Sequence, residues 1–443
     1  MFTNTYLPHV GGVARSVSCF KRDLRKMGHR VLIMAPVYTD AGEQKTDDKE
    51  SDVVRLPAIQ NFSGSDFSVR IPLPLIVSEK MNAFAPDIIH SHHPFLLGDT
   101  AMRMARKCNL PLVFTHHTLY ERYTHYTPVD SPAMKRFVIE LATRYANHCD
   151  HVIAPSESIR HLIRDRGVDA PVTVIPTGVD PDFFAAGGGE LFRQRHGIAT
   201  NTFVLGHIGR LAPEKNLEYL AGAAAIFLKK HRGSVFVVAG EGPSNDAIRR
   251  ICEHEGVQKQ LIMTGALTGS HLADAYDAFD LFVFASKTET QGMVLTEAMA
   301  AGVPVIALDA SGAREVVIDK KNGRLLDGNT SAEQFAQILS EVYRDTGTLE
   351  EWNSGVKETA AHFSRAKSAK TLEHLYQITL QAFPGRNMSR DKEIMGWDNL
   401  LKALEIEWGL LVEKARAVIT VGTSDSKNIG ADEADPEGQG PPC

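Results

Sequence analysis

FVLGHIGRLAPEKNLEYLAGAAAIFLKK, residues 203–230, reads as a buried strand, a charged loop and a helix in immediate succession. The first apolar run is short and stops at Gly-Arg, whereas the residues from Leu217 onward repeat their apolar positions at helical spacing. The unit recurs in both directions. SVFVVAGEG (234–242), LIMTG (261–265), DLFVFAS (280–286) and PVIAL (304–308) follow it. VLIMAP (31–36), DIIHSH (87–92), LVFTHH (112–117), HVIAPS (151–156) and VTVIPTG (172–178) precede it. Short β-branched runs alternating with helical stretches are the pattern of parallel βαβ units. The expected fold is therefore α/β, with two doubly wound Rossmann-like domains, residues 1–184 and 201–384, facing each other across a cleft. Between them the glycine run and charges of DPDFFAAGGGELFRQRHGI read as a linker over 185–200 with one helical turn. Apolar residues at helical spacing predict a helical extension over 385–420, and the polar stretch 421–443 reads as a disordered tail. The start is unusual, because a Gly loop arrives ten residues in and MFT is too short to be the central strand. The expectation is a chain start downstream of the natural one, or a compromised first domain.

The 443 residues, 43% hydrophobic and 23% charged, suffice for two cores of about 200 residues each. A net charge of −6, from 48 Lys and Arg against 54 Asp and Glu, argues against a protein built to hold nucleic acid. Cys19, Cys108, Cys149, Cys252 and Cys443 form no CxxC pair, which suits a reducing compartment. No run approaches a membrane span and the start lacks a signal-peptide pattern, so the chain reads as cytoplasmic, with peripheral contact at a membrane left open.

Three segments carry chemistry. In PHVGGVAR (8–15), Gly11 and Gly12 precede a helix, and such glycines serve either a tight turn or the approach of backbone N–H groups to a phosphate. In GRLAPEKN (209–216), Arg210 and Lys215 share one strand-to-helix loop, either to clamp a diphosphate or as solvated charges. In SKTETQGMVLTEAMAAGVPV (286–305), Glu289 and Glu297 flank a loop and a helix start near Gly292. That arrangement places the amides of Gly292, Met293 and Val294 between two carboxylates, which suits a sugar, a diphosphate and a ribose in line.

On these residues the chain resembles glycosyltransferase family 4, whose members are retaining enzymes of the GT-B fold. GGVA, PTGVD (176–180), GRL with Lys215, AGEGP (239–243) and the E-x7-E block stand in the family's order over roughly residues 1 to 380. The resemblance implies that Arg210 and Lys215 hold the donor diphosphate and Glu297 the ribose. It assigns Glu289 and the amides of Gly292 to Val294 to the transferred sugar and phosphates, the backbone near Leu267 to the nucleobase, and Gly11 and Gly12 to the phosphates from the other domain. The family's active-site His matches His117. His117, Arg210, Lys215 and Glu289 are thus the expected catalytic set. The donor is expected to be UDP-glucose or a similar UDP-sugar, with no metal or other cofactor in the chemistry.

The acceptor is less legible. THHTLYERYTHY (115–126) is similar to the subgroup that glycosylates diacylglycerol, which implies an acceptor site at His116, Tyr120 and Tyr123. Lys135, Arg136, Arg144, Arg160, Arg164 and Arg166 suit either a membrane surface or ordinary solvated helix faces. A lipid and a soluble sugar or sugar phosphate both remain open as acceptor. The DxD at Asp180 and Asp182 is the triplet by which another glycosyltransferase fold holds its metal, but here it continues PTGVD into the linker, and the histidines at 90, 92, 93, 116, 117 and 125 lack the Cys or carboxylate spacing of a structural metal site. A dinucleotide dehydrogenase would need a G-x-G-x-x-G block, which is missing. A non-catalytic sugar-nucleotide binder is the remaining alternative.

Overall fold

The computed structural model describes residues 1–9, 11–37, 52–59, 69–70, 74–122, 131–345 and 347–383. The expected extension over 385–420, the tail, and Tyr123 and His125 therefore lie outside the described residues.

The second domain is built on six parallel strands: β7 (Phe203–Ile208), β8 (Ser234–Ala239), β9 (Leu261–Gly265), β10 (Leu281–Phe284), β11 (Val305–Leu308) and β12 (Gly323–Leu326). Their order in the sheet is β9-β8-β7-β10-β11-β12. The chain winds outward from β7 in one direction and then returns to wind in the other, so the reversal lies between β7 and β10. Ligands of such sheets bind beyond the strand ends at that crevice. The loops of Arg210 and Glu289 open there.

The first domain repeats this plan with β1 (Ile33–Pro36), β2 (Val53–Leu56), β3 (Ile89–Ser91), β4 (Leu112–Thr115), β5 (His151–Ala154) and β6 (Val172–Val174). At the position of the central strand, Phe2 makes isolated parallel bridges to Met34 of β1 and Ser91 of β3. Its N–H donates to His90 O at 2.8 Å and its carbonyl accepts from the His92 N–H at 2.9 Å, while Thr3 N–H reaches Met34 O at 3.0 Å. Phe2 is buried between these two neighbours. The reversal of winding falls between Phe2 and β3. It aims the Gly11–Gly12 loop, the start of α1 (Gly12–Lys26) and the β3 exit at His92 toward the cleft.

The segment read as a linker is packed structure. Helices α5 (Pro181–Ala185) and α6 (Gly189–Arg195) lie against the second domain, with Phe184, Phe192 and Ile198 in its core. The glycines of 187–189 allow close backbone approach: Gly188 and Gly189 donate their N–H groups to Asp274 Oδ1 and Asp277 Oδ2, each at 2.8 Å. The chain returns to the first domain beside its point of departure. Val179 N–H donates to Phe363 O at 2.8 Å and Arg365 N–H to Val179 O at 2.7 Å. Helix α10 (Arg365–Ala382) then packs on α1, placing Leu372 and Leu375 in the first domain's core although they fall within 201–384. The buried Arg365 guanidinium pairs with Asp23 of α1 and with Asp180, the latter at 2.7 Å. Asp180 thus secures the crossing and caps α5, which accounts for the first carboxylate of the DxD.

Candidate functional site

Four loops and two helix starts converge on the cleft. Arg210 follows β7 directly, and its guanidinium pairs with Glu214 while remaining 43% exposed. Gly240 permits that loop to lie flat, since a Cβ there would fall 1.9 Å from Gly209 O. This close approach explains why AGEGP carries glycine. Lys215 reaches Glu289, and the two form a mostly buried ion pair across the β7–β10 crevice. Burial alone would raise the Glu289 carboxyl, but the Lys215 ammonium and the Ser286 hydroxyl outweigh it and hold the group below its usual range. Glu289 is thus a fixed negative charge.

Helix α9 (Met293–Ala300) starts four residues later, with Gly292 at its N-cap in the left-handed region, φ 71°. The first N–H groups of a helix have no intrahelical acceptor and carry the positive end of its dipole. The α1 start lies opposite. A Cβ on Gly12 would sit 3.9 Å from Met293 Sδ, so the two helix N-termini meet across the cleft. Leu267 leaves β9 and packs at the edge of the second domain's core. Of the donor residues expected from the sequence, Gly11, Gly12, Arg210, Lys215, Glu289, Gly292, Met293 and Val294 lie at strand exits or helix starts, Glu297 one helical turn beyond, and Leu267 just past the exit of the edge strand β9.

Glu297 is buried one turn into α9, accepting from Tyr276 OH at 2.9 Å and facing Arg15 Nη1 at 2.5 Å. Burial raises its carboxyl above the usual range despite the opposing pull of Arg15 and Tyr276. Arg15 and Tyr276 escaped the sequence reading. The available signal for Arg15 was its place in the first turn behind Gly12, aimed where an anion would sit.

The loop of Glu289 is also tied to the first domain. Thr290 Oγ1 donates to His117 O at 2.8 Å and Ser156 Oγ donates to Thr290 O at 2.7 Å. The Gln291 amide clasps Thr177, accepting from its N–H at 2.7 Å and donating to its carbonyl at 2.6 Å.

His117 and His116 separate. Residues alternate faces along β4 and past its end, so Phe114 and His116 point to one face and Thr115 and His117 to the other. His117 stacks on His92, with His92 Nδ1 and His117 Nε2 2.9 Å apart, and burial lowers its pKa to about 3. His116 is buried with Phe114 and Tyr120 beneath the opposite face, its pKa lowered to about 4 by burial. His116 Nδ1 and Tyr120 OH are buried with no hydrogen-bond partner. Of the three expected acceptor residues, His116 and Tyr120 are buried in the first domain and Tyr123 lies outside the described residues.

Of the other described histidines in this set, His90 pairs with Tyr376 OH at 2.6 Å and Thr115 Oγ1 at 2.7 Å, and His93 Nδ1 accepts from the Asn4 N–H at 3.1 Å. Among the described residues no group of three or more His, Cys, Asp or Glu is arranged to hold a metal. Of the six basic residues read as a membrane-facing set, Arg144, Arg160 and Arg166 pair with Glu140, Glu157 and Glu121. Arg164 donates to Val168 O at 2.8 Å. Lys135 and Arg136 are exposed on α3 (Pro132–Asn147). No described helix is long and apolar enough to cross a membrane.

Comparison with known proteins bears on the family and the fold. Residues 10–183 match the model described as Glycosyltransferase Family 4, and residues 189–359 match that of Glycosyl transferases group 1. The alpha-monoglucosyldiacylglycerol synthase of Streptococcus pneumoniae is 33% identical over 334 residues, 74% of this chain and 75% of that protein. The GDP-mannose-dependent alpha-mannosyltransferase of Corynebacterium glutamicum is 30% identical over 73% of this chain and 75% of its own length. Among solved structures, Anabaena HepE in complex with UDP-glucose superposes with a TM-score of 0.68 at 21% identity, covering 85% of this chain and 98% of that one.

Proposed function

This chain belongs to glycosyltransferase family 4, and from that premise we propose that it moves glucose, or a similar hexose, from its UDP-sugar to a hydroxyl of diacylglycerol or another membrane lipid, with retention of anomeric configuration. The observation that carries the donor half is the Lys215–Glu289 pair in the β7–β10 crevice, beside two facing helix N-termini. A diphosphate placed there meets Arg210, Lys215 and the amides of Gly292 to Val294, and its ribose meets Glu297. As the bond to the anomeric carbon breaks, charge develops on the diphosphate, and these preorganised cations and dipoles stabilise it with no step assigned to a metal. Glu289 supports the positive charge that develops on the sugar ring. We assign it a positioning and electrostatic role rather than that of a glycosidase-type nucleophile. The acceptor hydroxyl attacks from the face the nucleotide leaves, which preserves configuration, and its proton passes to the departing diphosphate oxygen. The resemblance assigns His117 to this active site.

The diacylglycerol acceptor rests on the resemblance of the 115–126 stretch and on the pneumococcal relative's activity. A soluble sugar or sugar-phosphate acceptor is the second reading, favoured by the internal pairing of four of the six basic residues. We place the enzyme in the cytoplasm, peripheral on the inner membrane face under the first reading. The test supplies purified protein with labelled UDP-glucose, mixed lipid vesicles and soluble sugars, and separates organic from aqueous products. Label in the organic phase supports the lipid acceptor. Label confined to an aqueous glycoside overturns it and keeps the transferase, and no transfer from any UDP-sugar overturns both.

A further inference from the structure

Residues on adjacent parallel strands that share a face form a row, and β3 and β4 align His90 with Val113 in register. Two residues further on, the same face brings His92 beside Thr115, and His117 lies one step beyond. His92 is fully buried, whereas His117 is only partly so. Their facing nitrogens, His92 Nδ1 and His117 Nε2, are 2.9 Å apart, and burial keeps both rings neutral by pulling their pKa values down. One of the two therefore donates. The other nitrogen of His92, Nε2, is buried with no hydrogen-bond partner among the described residues. If His117 donated, His92 would carry its proton on Nε2, as an N–H donor buried without an acceptor. An orphaned N–H is the costlier defect, since the alternative leaves only a lone pair unused. The hydrogen thus resides on His92 Nδ1, which donates to His117 Nε2, and His117 carries its own proton on Nδ1.

We propose that His92 is a positioning residue for the transfer reaction, fixing His117 as the Nδ1–H tautomer so that a hydrogen-bond donor faces the substrates. The inference rests on the glycosyl transfer proposed above. The other attachments of the row explain its rigidity. His90 packs on His92 with ring centroids 4.1 Å apart and is held by Tyr376 of α10 and by Thr115. The His117 carbonyl is held by Thr290, next to Glu289. A tilt of His92 therefore moves the ring of His117 while its backbone stays anchored to the donor loop.

The tautomer is read by 15N-histidine NMR of the full chain, with His117 assigned through a His117→Gln variant. In the wild type the expected pattern is a protonated Nδ1 and a lone-pair Nε2. His92→Leu should give averaged tautomers at His117, and His92→Asn, whose amide occupies the Nδ1 position, should restore the single form. The reverse tautomer in the wild type, or an unchanged His117 pattern in His92→Leu, overturns the proposal. In the transfer assay His92→Leu should lose kcat by on the order of 10²-fold with the donor KM within about threefold, and His92→Asn should recover most of it. Loss in KM alone, or no recovery by Asn in a variant that melts like the wild type, also overturns it. A wild type that shows the expected tautomer yet transfers no sugar refutes the function while leaving the hydrogen bond established.

Discussion

Arg15 Nη1, on the first helix of one domain, stands 2.5 Å from Glu297 Oε1, a buried carboxylate on a helix of the other. The contact opposes the rise that burial imposes on the carboxyl assigned to the ribose. A carboxyl raised by burial binds a diol through acceptor oxygens only while ionised, and Arg15 is the charge that opposes the raise. In Arg15→Met the carboxyl should titrate higher still. Binding that needs the ionised form is complete above its pKa and is lost as pH falls through it. Calorimetric titration with UDP should show weaker binding than in the wild type at the lower of two pH values, recovering at the higher. Equal affinities at both pH values would remove Glu297 from the ribose site.

Lys215 and Glu289 form a second pair whose members act together. Either alanine substitution leaves the other charge mostly buried and unpaired in the crevice, and should lower kcat by on the order of 10²- to 10³-fold. The double variant should lose little more than the worse single one, because the two act as a unit. Arg210, 43% exposed and pairing with Glu214, should show a smaller loss on change to Ala. Independent, additive losses for Lys215 and Glu289 would show that the pair is structural rather than catalytic.

The sequence carried the parts of this site that local chemistry specifies. The E-x7-E spacing placed a helix start between two carboxylates because Gly292 interrupts the strand-to-helix run, and the helix begins at Met293. Alternation along 114–117 already held the separation of His116 from His117. The partner of His117 was not legible, because a hydrogen bond from His92 depends on the lateral register of two strands, which no local pattern encodes. The same holds for Arg15 with Glu297 and for Arg365 with Asp23 and Asp180. The glycine run at 187–189 misled for a different reason. Glycine signals both freedom and close approach, and only Asp274 and Asp277 on the neighbouring helix reveal the second.

The buried histidines make the fold acid-sensitive. Burial lowers His93 and His117 to about 3 and His116 and His207 to about 4, with His90 and His92 also well below their ordinary value. The folded pKa values lie below the unfolded value of about 6.5, so the unfolded chain binds more protons below that pH. Stability is therefore complete above about pH 6.5 and falls as pH is lowered toward the folded values. Each group contributes up to about 1.4 kcal/mol per pH unit in that window. Melting scans should show a Tm lower by about 10 °C or more at pH 5.5 than at pH 7.5, and a flat profile would show that these rings are solvated.

Two glycines separate close approach from idle space. At Gly189 a Cβ would fall 2.5 Å from the backbone oxygen of Asp277, where helix α6 meets the segment Ser270–Asp277. Gly189→Ala forces two backbones apart, and because neither is the free end of a side chain the strain has no cheap outlet. It should destabilise the second domain by about 1–3 kcal/mol, the usual range for overpacking. Gly222 lies inside α7 (Leu217–Lys230), with nothing within 4 Å of the Cβ position. Gly222→Ala removes only the backbone freedom of the unfolded chain and should stabilise by about 0.5–1 kcal/mol. Denaturant unfolding of the two variants should thus move in opposite directions. A Gly189→Ala protein as stable as the wild type would restore 185–200 to the status of a flexible linker.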